Sequence, residues 1–273
     1  MKSCIKKLVC MLLLAFIVSP LCSSPCAEAK SAIENVVERG VLRVGFSTFV
    51  PWAMQDKNGG YIGFEIDVAK KLAEDLGVEL QLVPTNWDGI IPALLANKFD
   101  VIIGGMGSTT KRNLTVNFTV PYDYSVMDIM ANKEKAGNLQ SLADCNTEKV
   151  IIAVRNGSSG AAFAKKYLPN ATLRFFNEEA PAIQEVLSGR AHAFISSRPL
   201  PTLEIAKNPD TLFRPFEITE YREPIGFAVR KGDFDTLNIF DNWIENARGT
   251  GWLKERADYW FMGTAWQELI PAD

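Results

Sequence analysis

From about residue 41 onward, the chain alternates short runs of apolar residues with longer amphipathic segments. The apolar runs have the length and composition of strands, and they lie at residues 41–46, 78–84, 99–104, 150–154, 172–176, 191–196 and 225–230. Segments with helical periodicity separate them. This order predicts an α/β fold with largely parallel sheets.

The clearest helix is predicted over residues 65–76. Its apolar residues recur at helical spacing, while lysines and acidic residues occupy the other face. The apolar positions are Ile66, Ala69, Leu72, Ala73 and Leu76. Gly77 is expected to end this helix, and a second helix is predicted over residues 89–97.

The alternating pattern is interrupted twice, near residue 123 and again at residues 219–224. A chain that leaves one lobe, completes another and returns would cross over at these two points and leave a cleft between the lobes. We therefore predict a first lobe from residues 30–124 and a second from 125–222. Residues 223–273 would return to the first lobe, with the aromatic residues of the tail packed against its core.

The first 29 residues have the features of a secretory signal peptide. Lys2, Lys6 and Lys7 precede an apolar run of 11 residues, Leu8 to Val18, and small residues follow at Ala27 and Ala29. The run is shorter than the roughly 20 residues that cross a bilayer as a helix. The pattern predicts export to the periplasm. The residues before Cys22 and Cys26 do not resemble the small-residue box that precedes a lipidated cysteine, so no lipid anchor is expected.

Charge and cysteine content narrow the classes of function. The chain carries a net charge of -3, and removal of residues 1–29 would leave 26 basic and 31 acidic residues, with no basic patch to bind nucleic acid. Four of the five cysteines would leave with the signal, so Cys145 is expected to be a buried structural thiol. No metal-ligand cluster, phosphate-binding loop or nucleophile–base pair is found, so no cofactor is predicted.

Several spaced motifs carry a resemblance to a known family. They are Gly63 to Ala73 (GFEIDVAKKLA), Asn86 to Leu94 (NWDGIIPAL), Phe99 to Met106 (FDVIIGGM), Thr110 to Arg112, Val116 to Phe118, and Pro121 with Tyr122. In this order they resemble the family 3 bacterial extracellular solute-binding proteins, most of which are amino-acid receptors of ABC importers. The resemblance covers essentially all of the chain after residue 29.

The resemblance implies a type II periplasmic binding protein fold, in which two α/β lobes joined by two crossover strands close on a small ligand. It also implies that Arg112 holds the ligand's carboxylate, because a guanidinium matches two carboxylate oxygens at once. Backbone donors near Gly105, Met106 and Gly107, with the Thr109 hydroxyl, would share this carboxylate. Alternatively, Arg112 is the partner of a surface salt bridge. The partners implied are a carboxylate ligand and an inner-membrane ABC permease, and the protein would be a monomer.

The resemblance places other residues around the ligand. Phe49 would stack on it, while Trp52 and Trp87 would complete an apolar wall, although all three aromatics are equally typical of a core. Asn156, Gly157, Ser158 and Ser159 resemble a turn that meets the ligand carboxylate at a helix amino end. A plain helix cap is the other interpretation of that turn.

The sequence departs from the family pattern at three positions. Ser197 stands where amino-acid receptors usually have the aspartate that holds the ligand's ammonium, and Ser47 follows the first strand where an aspartate is common. Gly107 replaces a hydroxyl residue. A buried ammonium without a carboxylate would be unfavourable. Either another acid takes over, or the ligand lacks an α-amino group.

Two further residues, Glu223 and His192, are titratable groups with possible roles in or near the site. Glu223 resembles a glutamate found in many family members, and it either supplies the missing negative charge or bonds to backbone amides as a hinge residue. His192, the single histidine of the chain, is expected to be structural.

Three functions are compatible with these features. The first is a binding protein without catalysis that delivers its ligand to a permease. The second is an enzyme similar to the periplasmic cyclohexadienyl dehydratases, which the region from Pro84 to Trp87 also resembles. Glu223 would then act as general acid while Arg112 holds a carboxylate. The third is a receptor that reports to a separate sensor.

Overall fold

A computed structural model describes residues 30–219 and 221–271. The predicted signal peptide and the four cysteines in it lie outside the described residues. The strands are β1 (Val41–Phe46), β2 (Met54–Gln55), β3 (Tyr61–Ile62), β4 (Glu79–Pro84), β5 (Val101–Ile102), β6 (Val116–Phe118), β7 (Asp123–Asn132), β8 (Ile151–Arg155), β9 (Thr172–Phe176), β10 (Ala193–Ser197), β11 (Leu212–Phe213), β12 (Arg222–Ile225) and β13 (Ala228–Arg230).

The α-helices lie between these strands and after the last one. They span Ala32–Arg39, Phe64–Leu76, Ile90–Leu95, Thr110–Asn113, Lys133–Ala136, Leu142–Cys145, Ser159–Tyr167, Glu179–Leu187, Leu200–Lys207, Phe234–Gly249 and Trp252–Ala257. Short 3₁₀ turns occur at Trp87–Gly89 and Ala265–Leu269, and Asp258–Met262 forms a π-helical turn. No helix in the described part of the chain has both the length and the apolar character needed to span a membrane.

Two sheets form the centres of two lobes. The first has the order β4-β1-β5-β13-β6, and β4, β1 and β5 run parallel. The second has the order β11-β7-β10-β8-β9, with β10, β8 and β9 parallel. In both lobes, the carboxyl ends of the parallel strands form an edge of the kind at which α/β proteins bind ligands.

The two crossover strands pair with each other. β12 runs antiparallel to β7, and Glu223 lies opposite Ser125 while Ile225 lies opposite Asp123. β7 then continues into the second sheet, where it pairs with β10 and β11. The two interruptions in the sequence pattern therefore correspond to one hydrogen-bonded connection. The exact residue limits predicted for the lobes remain predictions.

Local sequence explains the best-predicted helix. Of the predicted apolar positions, Ile66, Ala69, Leu72 and Ala73 are buried, and Leu76 is partly buried. The helix also buries Phe64 and Val68, which the prediction did not include. Gly77 ends the helix in the left-handed conformation, with φ of 66°, which glycine adopts readily because it lacks a Cβ.

The sheets are largely parallel, as predicted, with one reversed strand in each: β13 is antiparallel to β5 and β6, and β7 is antiparallel to β10, β11 and β12. Two other predictions about strands need correction. The apolar run at 225–230 is divided between β12 and β13, which belong to different sheets. The ten-residue strand β7 was missed, since it begins with the consecutive residues Asp123, Tyr124 and Ser125, and Asp128 interrupts the apolar residues that follow.

The C-terminal aromatic residues complete the first lobe's core, as predicted. Phe240, Ile244, Leu253, Trp260 and Trp266 are buried in one cluster with Leu42, Val44 and Phe64. In the second lobe Cys145 is fully buried, and burial raises the pKa of its thiol to about 12. A buried, protonated thiol fits the structural role expected for Cys145.

Candidate functional site

A small cavity of about 30 Å³ lies between the two lobes, at the carboxyl ends of the parallel strands. Its walls include six of the predicted site residues. The lining consists of Phe49, Trp87, Gly104, Gly105, Arg155, Ser158, Ser159, Gly160, Glu179, Ser196 and Ser197. Phe49, Trp87, Gly104 and Gly105 follow strands of the first sheet, whereas the others belong to the second lobe.

Arg112 lies beside this cavity and bridges the lobes. It belongs to the one-turn helix Thr110–Asn113, which Thr109 caps by accepting a hydrogen bond from the Arg112 amide. Its guanidinium donates to the Gly107 carbonyl at 2.9 Å, to the Gly157 carbonyl at 3.0 Å and to the Ser159 hydroxyl at 3.4 Å. Burial lowers the pKa of Arg112, and the nearby Glu223 acts in the opposite direction.

A second cavity lies beside Arg112 and shares lining residues with the small cavity. This second space of about 430 Å³ is lined by Thr109, Arg112, Gly157, Ser158 and Ser159, among others. Ser158 and Ser159 therefore face both spaces. Within the described residues no carboxylate pairs with Arg112 at salt-bridge distance, and its hydrogen bonds go to neutral oxygens. The surface salt bridge considered as an alternative is thus not formed among these residues.

Trp87 contacts two guanidinium groups. The central guanidinium carbons of Arg112 and Arg155 are both 5.6 Å from the centre of its ring system. Its indole N–H donates to the Gly157 carbonyl at 3.2 Å, so the ring also bridges the lobes. Cation–π contacts of this kind hold the positions of both arginines.

Arg155 is a site residue that the sequence interpretation missed. It ends strand β8, and its side chain is 3% exposed. Its donors bind the Ser47 hydroxyl at 2.6 Å, the Thr48 carbonyl at 3.2 Å and the Asn177 carbonyl at 3.1 Å. Ser47, which stands where an acid was expected, is therefore bonded to an arginine of the opposite lobe.

Glu179 is the second residue that was missed. It is the first residue of the helix Glu179–Leu187, and its side chain is 12% exposed. Its Oε1 lies 3.9 Å from Nη1 of Arg155, whereas its buried Oε2 has no hydrogen-bond partner among the described residues. Burial raises the pKa of Glu179 to about 7, although Arg155 lowers it. No sequence signal marked it, because it lies outside the motifs that carry the family resemblance.

Glu223 lies against the loop of Gly107. Its Oε1 accepts a hydrogen bond from the Ser159 hydroxyl at 2.8 Å, and its side chain is buried. Burial raises its pKa, while the bond from Ser159 and the charge of Arg112 lower it. Glu223 thus sits in a crossover strand and accepts a hydrogen bond from a hydroxyl, while both roles considered for it, as a charge partner of the ligand or as a hinge residue bonded to backbone amides, stay predictions.

Six of the twelve predicted contact residues do not line the small cavity, namely Trp52, Met106, Gly107, Arg112, Asn156 and Glu223. Of these, Arg112 lines the second space, and Glu223 lies against Gly107. Trp52 is buried behind Phe49, with the two rings parallel and 6.1 Å apart, and donates its indole N–H to the Arg198 carbonyl at 3.4 Å. Met106 is buried in a neighbouring core cluster. Asn156 is exposed. A role in ligand contact stays a prediction for each of them.

Other predicted residues have clear local roles. Ser158 caps the helix Ser159–Tyr167 by accepting a hydrogen bond from the Ala161 amide, as the plain cap interpretation expected, and it also lines the cavity. Ser197 lines the cavity at the end of β10, while the following Arg198 turns to the buried Asp128. His192 accepts a hydrogen bond from the Ile151 amide and does not line either space, in agreement with a structural role. The described residues contain no cluster of metal-ligating side chains.

Comparison with known proteins gives the relationships of the chain. The L-cystine-binding protein TcyJ of Escherichia coli is 29% identical over 231 residues, which cover 84% of this chain and 85% of that protein. The cyclohexadienyl dehydratase of Pseudomonas aeruginosa is 25% identical over 263 residues, which cover 94% of this chain and 93% of the enzyme.

A solved structure gives the same picture for the fold. The putative binding component of an ABC transporter from Wolinella succinogenes, in complex with lysine, superposes with a TM-score of 0.79 at 38% identity, covering 84% of this chain and 99% of that one. The predicted type II periplasmic binding fold is thereby confirmed. The sequence model of a protein family, the bacterial extracellular solute-binding proteins, family 3, matches residues 42–263 of this chain. The chain therefore belongs to this family of solute-binding proteins.

Proposed function

We propose that this protein is a periplasmic receptor that binds an amino acid or amino-acid derivative between its lobes and delivers it to an ABC permease. Residues 1–29 would direct its export, and it would act as a monomer without catalysis. The carboxylate of the ligand would bind Arg112, together with the amides and hydroxyls of Ser158 and Ser159. The names of the similar proteins support an amino-acid ligand.

The observation that supports this proposal most directly is the position of Arg112 between the lobes and the set of groups to which it donates hydrogen bonds. Arg112 is partly buried, and its guanidinium contacts both lobes and donates only to neutral oxygens among the described residues. A partly desolvated guanidinium gains most from an anionic acceptor with two oxygens. A ligand carboxylate placed between Arg112 and Ser159 would replace weak neutral contacts with charge-assisted ones, and it would bind both lobes at once.

The first experiment identifies the ligand. Purified protein is heated with each of the twenty amino acids and with simple carboxylic acids, because a ligand that binds only the folded state raises the melting temperature. The second experiment measures the affinity of the best ligand for Arg112→Ala by calorimetry. Loss of a buried charge pair should weaken binding by roughly 2–5 kcal/mol.

Arg190→Ala is the matched control, since Arg190 is an exposed arginine of the second lobe that pairs with Glu185. It should bind the ligand as the wild type does. Equal affinities of wild type and Arg112→Ala would contradict the proposal, as would a screen in which no compound raises the melting temperature.

A second candidate function is supported by Glu223. A buried carboxyl with a raised pKa, directed toward an arginine, is an arrangement that suits a general acid. The similar Pseudomonas aeruginosa protein is a cyclohexadienyl dehydratase. Incubation with prephenate or arogenate, followed by detection of aromatic product, tests this function. Product formation that Glu223→Gln abolishes would replace the receptor proposal with an enzymatic one.

A further inference from the structure

Glu179 lies at the boundary between two spaces. It lines the small cavity between the lobes, and it also lines a groove of about 1020 Å³ that shares Phe49 with that cavity. Among the described residues that line the small cavity, Glu179 is the only carboxylate. Any ligand that fills the cavity and extends past Phe49 would meet this side chain.

The charge of Glu179 is incompletely compensated in the structure. Arg155 approaches its Oε1 only to 3.9 Å, because the same guanidinium is committed to the Ser47 hydroxyl and to the Thr48 and Asn177 carbonyls. The Oε2 atom is buried and has no hydrogen-bond partner among the residues that the structure describes. A buried carboxylate oxygen in this state costs free energy, and a donor from a ligand would remove that cost.

The two positions at which the family pattern led us to expect an acid do not supply one. Ser47 is buried and accepts a hydrogen bond from Arg155, while Ser197 presents a neutral side chain to the cavity. A cationic ligand would thus find its negative partner at neither place. Glu179 lies in the wall of the same cavity as Ser197, and it comes from a different element, the helix Glu179–Leu187.

We propose that Glu179 is the counterion for a cationic nitrogen of the ligand, either an ammonium or a guanidinium group. This inference rests on the proposed function, because it assumes that Arg112 holds the carboxylate of the same ligand. Because of this contact with Glu179, the protein binds zwitterionic or basic amino acids more tightly than carboxylates that lack nitrogen. The groove beyond Phe49 also carries Glu178, Glu204 and Lys207, so its acidic residues outnumber its basic one.

The protonation of Glu179 should make ligand affinity depend on pH. Burial raises its pKa to about 7, with Glu178 adding to the rise and Arg155 opposing it. A bound cation favours the ionised carboxylate, so binding is coupled to the loss of this proton. The affinity for a cationic ligand should therefore fall as the pH drops from 8 to 6, and Glu179→Gln should lack this dependence.

The test compares four probes that share a carboxylate and a chain of six carbons. L-lysine has both nitrogens, L-norleucine only the α-ammonium, 6-aminohexanoate only the distal ammonium, and hexanoate has none. Affinities are measured by calorimetry for the wild type, Glu179→Gln and the control Glu178→Gln. Glu178 also contacts Arg155 but does not line the small cavity.

We expect Glu179→Gln to weaken lysine binding by roughly tenfold or more, and Glu178→Gln to change it little. A matching loss for norleucine places the α-ammonium at Glu179, and a matching loss for 6-aminohexanoate places the distal one there. Unchanged lysine affinity in Glu179→Gln, or a loss that is equal for hexanoate, overturns the inference. The proposed function would survive that result as long as binding still depended on Arg112, so the two failures are distinguishable.

Discussion

The carboxylate of Glu223 occupies the space in which a side chain at position 107 would begin. A Cβ built on Gly107 would lie 1.9 Å from Cδ of Glu223 and 2.0 Å from its Oε1. Gly107 also forms an isolated antiparallel bridge with Ile225, so its backbone cannot easily move away from β12. The glycine that replaces a hydroxyl residue of the family pattern is therefore coupled to the buried glutamate in the crossover strand.

This relationship predicts the effect of adding a side chain. Gly107→Ser should displace the Glu223 carboxylate from Ser159 and destabilise the protein by about 1–3 kcal/mol, as overpacking of a filled site does. Glu223→Ala should make room for the serine. The double variant Gly107→Ser with Glu223→Ala is thus expected to be more stable than the sum of the single effects allows. Urea denaturation of the four proteins measures this coupling, and additive effects would contradict it.

Trp87 provides a second prediction, because two arginines share its ring. Trp87→Leu removes both cation–π contacts and the hydrogen bond to the Gly157 carbonyl. Trp87→Phe keeps an aromatic face and removes only the hydrogen bond. We expect ligand affinity to fall more in the leucine variant, by about 1 kcal/mol relative to the phenylalanine variant. Calorimetry with one ligand measures the difference, and equal affinities would show that the ring does not hold the arginines.

Arg155 joins the lobes and also faces Glu179, which leads to a third prediction. Arg155→Met should remove the bonds to Ser47 and Thr48, so that the two lobes lose contacts with each other. The protein without ligand should then have a larger radius of gyration in small-angle X-ray scattering. Arg174→Met is the matched control, since Arg174 is an exposed arginine that pairs with Glu185 within the second lobe. An unchanged radius in the Arg155 variant would show that these bonds do not hold the lobes together.

Much of the fold could be predicted from the sequence, because the spacing of apolar residues shows which face of a helix or strand is buried. The helix Phe64–Leu76 and the strands β1 and β9 were predicted within one residue. β7 escaped detection because a crossover strand changes its pairing partner along its length. Its first four residues pair with β12, and all of them except Ser125 are at least partly exposed, whereas its later residues are buried in the second sheet.

The candidate site was predictable only where a motif marked it. Phe49, Trp87, Gly105, Ser158, Ser159 and Ser197 were indicated by resemblance, and they meet around one cavity. Arg155 and Glu179 had no such mark. They are separated by 24 positions in the sequence, and their approach depends on how the helix Glu179–Leu187 packs against β8. Periodicity contains no information about such distances, so charged partners from different elements were missed.

The buried pair of Glu65 and Tyr122 predicts how stability depends on pH. The Tyr122 hydroxyl donates to Oε2 of Glu65 at 2.6 Å, and Glu65 is fully buried. Burial raises the pKa of Glu65 to about 8, well above its value of about 4.3 in an unfolded chain. Because the folded protein holds this proton more tightly than the unfolded chain, Glu65 makes the free energy of unfolding fall as the pH rises between these two values.

Glu65→Gln removes the titrating group and keeps an oxygen to accept the Tyr122 hydroxyl. Relative to the wild type, the free energy of unfolding of this variant should therefore increase with pH between 5 and 8, by up to about 1.4 kcal/mol per pH unit. Urea denaturation at several pH values measures this difference. Glu148→Gln, made at an exposed position, controls for the substitution itself. A difference between wild type and Glu65→Gln that stays constant across this range would show that the pKa of Glu65 is not raised in the folded protein, which contradicts the prediction.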